Sequence, residues 1–288
     1  MKILAIINPI SGISGKNKIP SLLAKAIQNT DYELVVSYTK YAGHASEIAA
    51  EAVKEGISAV IAVGGDGTVN EIASSLKYSG VPLGIIPKGS GNGLARALDI
   101  PMSVKGAIDR IVQGKIRTID CCLANEHAFF CTCGFGFDAQ VSKDFADASH
   151  RGPLQYMITT VTTFMKYDAQ HFRVTIGDET LEQDAFLVTI ANASQYGNNA
   201  YIAPGAKLDD GLVDVIVIGP MPQIEGPKLA LQLFRGNIDT NKRFCRYATD
   251  KLTVERPYEG PVHLDGEPVV LPKKVEIKVL PGAIKVLA

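Results

Sequence analysis

The chain has 288 residues, 46 % of them hydrophobic and 20 % charged, with 29 lysines and arginines against 30 aspartates and glutamates. That length allows one large domain or two modest ones with substantial apolar cores. A net charge of −1 argues against a nucleic-acid partner and against a polybasic membrane anchor.

No apolar run approaches the ~18 residues of a spanning helix, and Met1–Ile7, cut off by Asn8-Pro9, is too short for a signal-peptide core. The five cysteines include an adjacent pair, Cys121-Cys122, and two separated by one residue, Cys131 and Cys133. Such a set is a poor disulfide framework and a poor zinc pattern. It reads as small buried residues in a reducing cytoplasm.

In chain order, residues 1–123 alternate between short apolar runs and helical patterns. Strands are predicted at Lys2–Ile7, Glu33–Tyr38, Ser58–Val63 and Leu83–Ile86. Helices are predicted at Lys16–Gln28, with Leu22, Leu23, Ala26 and Ile27 on one face, and at Ala45–Glu55, Thr68–Leu76, Gly91–Leu98 and Ser103–Gln113. This is an α/β domain: β-α-β units around a parallel sheet with helices on both faces. Ligands in such sheets bind beyond the carboxyl ends of the strands, where the glycine-rich turns fall.

From about Ile116 strands dominate: Ile116–Leu123, His127–Phe135, Phe172–Ile176, Asp184–Ala193, Val213–Ile218, Phe244–Glu255, Val262–Leu264 and Lys274–Leu280. Many alternate apolar and polar residues, the pattern of antiparallel sheets with one solvated face. A second domain, 124–288, is therefore expected to be a mostly antiparallel β-sandwich, its last residues free to pack back on the first domain. Two helical inserts interrupt it. One, Leu154–Tyr167, sets Leu154, Met157, Ile158, Val161, Phe164 and Met165 on one face, which reads as core rather than lipid cleft. The other spans Ile224–Phe234. No flexible linker separates the domains, so the site is expected in the cleft between them.

Chemistry concentrates in five stretches. Gly64-Gly65-Asp66-Gly67-Thr68-Val69-Asn70-Glu71 joins an apolar strand to a helix. Bare glycine backbone admits a phosphate closely, and a helix N-terminus favours negative charge. Thr68 as N-cap and Glu71 three residues on have the spacing of a capping box. Asp66 would repel a phosphate, which calls for a magnesium ion or a donor network between them. Pro87 to Arg96, with Gly89, Ser90 and Asn92, repeats the strand–turn–helix logic, and the two turns together make an anion cradle. Arg96 reads equally as a phosphate contact or an exposed helix arginine. Asn8-Pro9-Ile10-Ser11-Gly12 ends the first strand at the same edge. Ala203 to Leu212 and His263 to Glu267 contain Asp-Gly turns, and the latter offers two carboxylates, Asp265 and Glu267, of the kind that accepts a hydroxyl proton. His44 reads as ordering a loop at a helix start, and His127, His150 and His171 as surface residues.

Taken in order, these stretches, with Thr39 and Gly43-His44-Ala45, resemble the diacylglycerol kinase catalytic family in its bacterial soluble lipid-kinase branch, which also includes sphingosine and ceramide kinases. The resemblance covers the whole chain. It implies ATP-dependent transfer of the γ-phosphoryl group to a lipid hydroxyl, with transient contact at a membrane surface and a homodimer left open. Asn8 to Gly12, Thr39, Gly65 to Glu71 and Ser90 would line the ATP site. Glu267 would accept the proton, with Asp265 beside it, and Asp66 would hold part of the Mg2+ that bridges the phosphates. A structural magnesium site of this branch matches Lys207, Asp210 and Leu212, through backbone carbonyls and the Asp210 carboxylate. One departure stands out: bacterial members carry Gly-Thr-x-Asn-Asp at the second turn, and here Gly93 replaces the final carboxylate. Two other expectations compete with lipid transfer. One is phosphorylation of a soluble acceptor such as NAD, and the other is a nucleotide- or lipid-binding module without turnover.

Overall fold

The structure, a computed structural model, describes residues 1–10, 16–148 and 153–288. The chain clusters into two compact units: Met1–Cys121 with Pro281–Ala288, and Cys122–Leu280.

The first unit runs β1 (Lys2–Ile7), α1 (Ile19–Ile27), β2 (Glu33–Tyr38), α2 (His44–Lys54), β3 (Ala59–Gly64), α3 (Asp66–Leu76), β4 (Leu83–Pro87), α4 (Gly93–Ala97), α5 (Val104–Gln113) and the start of β5 (Ile116–Ala124). Four strands lie parallel in the order β2-β1-β3-β4, and the end of the chain's last strand adds beside β4, with Val286 opposite Leu83. β3 is buried at every position, as a strand covered on both faces must be. Each fully buried side chain such as Ile6, Ile61 or Leu83 contributes about 1.5–3 kcal/mol. The order reverses at β1, so right-handed crossovers carry α1 over one face and α2 and α3 over the other. Accordingly α1 packs with α5, and α2 with α3.

Helix α1 departs from its predicted face. It buries Ile19, Leu23 and Ile27, and leaves Leu22 exposed. A short 3-10 turn, Lys16–Lys18, precedes it, so the true helix begins at Ile19 and one stripe of four-residue spacing meets the sheet. Helix α5 follows its signals: the Ser103 side chain accepts from Gly106 N, and Gly114 ends it in the left-handed region.

The second unit contains the end of β5, β6 (His127–Phe129), β7 (Thr132–Gly136), α6 (Phe137–Ala146), α7 (Pro153–Phe164), β8 (Gln170–Ile176), β9 (Glu179–Ala185), β10 (Leu187–Ala191), β11 (Val213–Ile218), α8 (Gly226–Arg235), β12 (Phe244–Thr249), β13 (Lys251–Glu255), β14 (Gly260–Leu264), β15 (Glu267–Leu271) and the first half of β16 (Lys274–Leu287). One antiparallel sheet has the order β12-β11-β10-β7-β14-β15, and β16, β13, β8 and β9 make the other. Side chains of both inner faces share one core, Phe135, Val188, Val215 and Val262 meeting Phe172, Val254 and Val275. This is a sandwich.

Several expected strands are shorter than their apolar runs. His127–Phe135 breaks after Phe129, Asp184–Ala193 breaks at Phe186, and Phe244–Glu255 turns at Asp250. Helix α6 and strand β15 were not predicted. Of the cysteines, Cys121, Cys122, Cys131 and Cys133 are buried, but Cys245 is exposed. The stripe on α7 is the largest reversal. Its buried residues are Thr159 and Thr163, whereas Met157, Ile158, Val161 and Met165 are exposed. The threonine face is drawn inward because α7 packs on α6, where Thr163 Oγ1 donates to Asp144 Oδ2 at 2.6 Å. Phe164 alone of the described stripe packs inward, edge-on to Phe137 and Phe186. No helix among the described residues is long and apolar enough to cross a membrane.

Candidate functional site

The parallel strands of the first unit all end at one edge. Asn8 follows β1, Thr39 follows β2, Gly65 follows β3 and Lys88 follows β4. The reversal of strand order falls between β1 and β3, the point at which sheets of this kind take their ligands. Asn8 N donates to Val63 O at 3.1 Å, Thr39 N to Ile7 O at 3.0 Å and Lys88 N to Gly64 O at 2.7 Å. The loops thus leave the sheet locked to neighbouring strands.

The two glycine turns touch. A Cβ on Gly89 would lie 2.5 Å from Gly65 Cα, and one on Gly65 would lie 3.1 Å from Gly89 Cα. Only glycine lets these backbones approach so closely. Asp66 fastens them: its Oδ2 accepts from Asn92 N at 2.8 Å and its Oδ1 from Gly93 N at 2.6 Å. Asn92 sits in the left-handed region with φ 52°. Its side chain folds back to Gly89, accepting from Gly89 N and donating to Gly89 O, both at 2.8 Å. Of the two remedies considered for Asp66, a donor network is present.

Helix α3 starts earlier than predicted, with Gly65 as N-cap and Asp66 in its first turn, where a carboxylate favours the helix dipole. The capping box therefore does not form. Thr68 is buried, and its Oγ1 accepts from Asn8 Nδ2 at 3.1 Å. Glu71 instead caps the neighbouring helix, its two oxygens accepting from Gly43 N at 2.9 Å and Ala45 N at 3.1 Å. Val69 points into the core, and Asn70 accepts from Ser74 Oγ. His44 orders its loop as expected, accepting from Lys40 N and stacking on Tyr41. Pro9 and Ile10 are exposed beside Asn8, while Ser11 and Gly12 lie outside the described residues, as does His150. Arg96 Nε donates to Gly91 O at 3.0 Å, which braces the second turn.

One cation was missed. Lys16 is buried, and its Nζ donates to Asn8 O at 2.6 Å. Burial, and next the charge of Lys88, lower its pKa. Two lysines repelling one another at the edge that carries the glycine turns make it electropositive, which an anion would relieve. The signal available was Gly12-Ile13-Ser14-Gly15-Lys16, which lacks both the spacing of a phosphate-loop motif and its hydroxyl residue after lysine.

In the second unit, Asp265 and Gly266 form the two-residue turn between β14 and β15, with φ 52° and 88°, a geometry that suits Asp-Gly. The two carboxylates differ sharply. Asp265 accepts from three successive amides, Phe130 N at 2.9 Å, Cys131 N at 2.7 Å and Thr132 N at 3.1 Å. Glu267, at the start of β15, is exposed.

Behind the hairpin lies a polar cluster the sequence reading passed over. Asp138, in the first turn of α6, accepts through Oδ2 from Thr189 Oγ1 at 2.7 Å and Tyr196 OH at 3.0 Å. His263 Nε2 lies 3.3 Å from the same oxygen, and its Nδ1 accepts from Gly266 N, so the ring proton belongs on Nε2. Burial, then the Asp138 charge, push the Tyr196 hydroxyl well up, keeping it a donor. Gly134 is required because any side chain would run into Asp138 and His263. The available signal was Gly134-Phe135-Gly136-Phe137-Asp138, a third strand–glycine–helix junction.

Lys207, Asp210 and Leu212 lie on an exposed turn before β11, where Asp210 Oδ1 accepts from Leu212 N at 3.1 Å. Among the described residues, no three His, Cys, Asp or Glu side chains converge on a cation position.

Comparison with known proteins agrees with this layout. The family described as the diacylglycerol kinase catalytic domain matches residues 2–124, and the YegS C-terminal NAD kinase beta sandwich-like domain matches residues 131–288. A Pseudomonas aeruginosa protein named "Probable lipid kinase YegS-like" is 31 % identical over 277 residues, covering 95 % of this chain and 90 % of its own. A "Diacylglycerol kinase" of Staphylococcus saprophyticus is 31 % identical over 267 residues, 91 % of this chain and 87 % of its own. The crystal structure of a diacylglycerol kinase from Bacillus anthracis shares the fold, with a TM-score of 0.74 at 22 % identity over 99 % of this chain and 96 % of that one. With both domains matched in order, the chain belongs to the diacylglycerol kinase catalytic family and is a kinase.

Proposed function

We propose that the protein transfers the γ-phosphoryl group of ATP to the hydroxyl of a lipid. The observation that carries the nucleotide half is the pair of glycine turns fastened by Asp66 at the strand-order reversal. Their amides, with Lys16 and Lys88, suit a polyphosphate and cost no reorganisation when charge builds on the transferring group. Asn8, Thr39 and Ser90 border the same edge. Val69 and Glu71 act behind it, through the core and through the α2 cap.

A magnesium ion would come with the nucleotide and neutralise phosphate charge; Asp66 stands beside that position, but its two oxygens already accept from Asn92 N and Gly93 N, so its share in holding the ion would be small. Lys207, Asp210 and Leu212 are assigned a structural cation through carbonyls and the Asp210 carboxylate.

For the acceptor half, we assign proton removal to Glu267 rather than Asp265. A carboxylate that already accepts from three amides is a weak base, since those bonds favour its charged form. Glu267 carries no such load. Asp265 holds the turn, and the Asp138–His263 contact steadies the strand before it, so Glu267 projects from a fixed hairpin. The lipid class rests on the names of the relatives, whose shared length spans both domains.

The test is purified protein with Mg-ATP and a panel of diacylglycerol, sphingoid and monoacyl lipids, with NAD as a parallel acceptor. Labelled phosphate in a lipid product is the expected result. Label in NAD alone would transfer the assignment to a soluble acceptor. ATP binding without any product would make the chain a binding module.

A further inference from the structure

One aromatic side chain at the carboxyl edge of the parallel sheet is held rigidly and yet turned outward. Tyr41 lies three residues past Tyr38, the end of β2, and Ile10 three past Ile7, the end of β1. Ile7 and Tyr38 are partners in neighbouring parallel strands, so the two exits run side by side. Ile10 is 90 % and Tyr41 55 % exposed. The His44 ring covers one face of Tyr41, at 4.6 Å between centroids and 25° between planes. The exposure of Tyr41 therefore comes from its opposite face. Both rings of the stack are tied down: Tyr41 OH donates to Glu47 Oε2 at 2.7 Å, and His44 Nδ1 accepts from Lys40 N at 3.1 Å. A tyrosine that only sealed a loop would turn its faces inward. A flat ring held open and still has already lost the freedom that a stacking contact would take.

Position and charge point to the occupant. The strand order β2-β1-β3-β4 sets the β2 exit three interstrand steps from the β4 exit, about 14 Å at ~4.8 Å per step. That is the reach of an extended nucleoside triphosphate whose phosphates lie on the glycine turns after β3 and β4. The far end of such a ligand is its base. Phosphate is disfavoured beside Tyr41, because the amides that begin α2, ordinarily an anion site, are already taken: Gly43 N and Ala45 N donate to Glu71. Glu47 adds a second carboxylate in the first turn of α2, against one exposed cation at this exit, Lys40. An aromatic face whose neighbouring anion site is filled suits a neutral planar ring.

We propose that the open face of Tyr41 is the platform on which the nucleobase of the phosphoryl donor stacks, backed by His44 and with Ile10 at the adjoining exit. The assignment rests on the kinase reading of the glycine turns. It adds what those turns lack, since amides that grip phosphates do not distinguish ATP from a bare polyphosphate.

The experiment is calorimetry of the full chain, with magnesium present, against ATP and against inorganic tripolyphosphate. ATP should bind at least about tenfold more tightly than tripolyphosphate. Tyr41→Ala should weaken ATP binding by at least about fivefold, the low end of what one aromatic side chain contributes to a stacked base, and leave tripolyphosphate within about twofold. Tyr41→Phe, which keeps the ring and drops the bond to Glu47, should recover most of that loss. The chain contains no tryptophan, so Tyr41→Trp supplies a single reporter whose fluorescence ATP should quench and tripolyphosphate should not. Tyr41→Ala protein that binds ATP like the wild type overturns the proposal. So does an equal loss of affinity for both ligands, which would make Tyr41 a prop of the phosphate turns, and so does a reporter indifferent to ATP. Equal binding of ATP and tripolyphosphate by the wild type would remove the platform and keep the turns as a phosphate site. Binding of neither would remove the nucleotide reading itself, and the platform with it.

Discussion

Adding a single methyl group at Gly89 should dismantle the proposed phosphate cradle. The Cβ of a Gly89→Ala variant would lie 2.5 Å from Gly65 Cα and 3.1 Å from Asn92 Oδ1, whereas carbon atoms rest about 3.5–4.0 Å apart. Neither obstacle is a flexible tip: one is backbone, and the other is an amide fixed by two bonds to Gly89 itself. The turns must therefore separate by about 1 Å, and the clasp that Asp66 makes to Asn92 and Gly93 lengthens with them. Overpacking of this kind costs about 1–3 kcal/mol of stability, and a displacement of about 1 Å at a reacting centre costs about a hundredfold in rate. Calorimetry should show ATP affinity falling at least tenfold, and the rate of transfer should fall further.

A control separates the cradle from mere instability. A Cβ at Gly84, near the start of β4, would crowd Ile111 Cδ1 and Cγ1 at 3.1 Å, within the same unit but away from the carboxyl edge. Gly84→Ala should lower the melting midpoint comparably and leave ATP affinity within about twofold. Gly89→Ala protein that binds ATP like the wild type would refute the assignment of these turns to phosphate.

The two acidic positions of the hairpin should fail differently. Glu267→Gln should lower kcat by about a hundred- to ten-thousandfold, the span of general-base catalysis, with ATP affinity and melting unchanged. Asp265→Ala strips the acceptor from three amides and should cost about 3 kcal/mol or more of stability, read by chemical denaturation. Tyr196→Phe should cost about 1 kcal/mol, whereas Asp138→Ala, which leaves Thr189, Tyr196 and His263 facing an empty position, should cost more. His171 lies between Asp184 at 3.0 Å and Glu182 at 3.3 Å, and the hydrogen bonds to Asp184 and then Glu182 raise its pKa. A raised folded value means its stabilisation is full below the ordinary histidine range and vanishes as pH rises through the folded pKa. Removing it in His171→Ala should therefore lower the melting midpoint at pH 5.5 and leave it unchanged at pH 8.5.

What the sequence made legible was local. Lys2–Ile7, Glu33–Tyr38 and Val213–Ile218 could be bounded to the residue, because each is a short run rich in β-branched and apolar residues that polar or turn residues close off. The glycine turns were legible for the same reason, since bare backbone between a strand and a helix has few other uses. Contacts between distant elements were not. Glu71 has the spacing to cap its own helix, yet it reaches across to the amides of Gly43 and Ala45, which have no side-chain cap of their own. The α7 stripe has the period of a core helix, and periodicity alone says only that one face is apolar. Thr159 and Thr163 face inward because a threonine hydroxyl finds Asp144 there, a pairing that no local window contains. Helix α6 hid in an apolar run for a similar reason, as Phe135 and Phe137 flank a glycine whose φ of 90° turns the chain.

The replacement of a carboxylate by Gly93 has the form of a lost catalytic group, and the geometry gives it another meaning. At this position the contact that joins the turns comes from the backbone: Gly93 N donates to Asp66 Oδ1 at 2.6 Å, shorter than the 2.8 Å bond from Asn92 N. A backbone donor is indifferent to the side chain it carries, so the clasp survives the substitution. Asp66 behaves like Asp265 in this respect, since each is an anion in a turn that gathers successive amides and fixes the loop bearing them. Both spend their oxygens on backbone amides, which makes each a holder of its turn rather than a mover of protons. On the proposed assignment, that leaves the amides, Lys16 and Lys88 to meet the phosphates, and Glu267 to meet the acceptor. The division follows from which carboxylates the fold has already consumed.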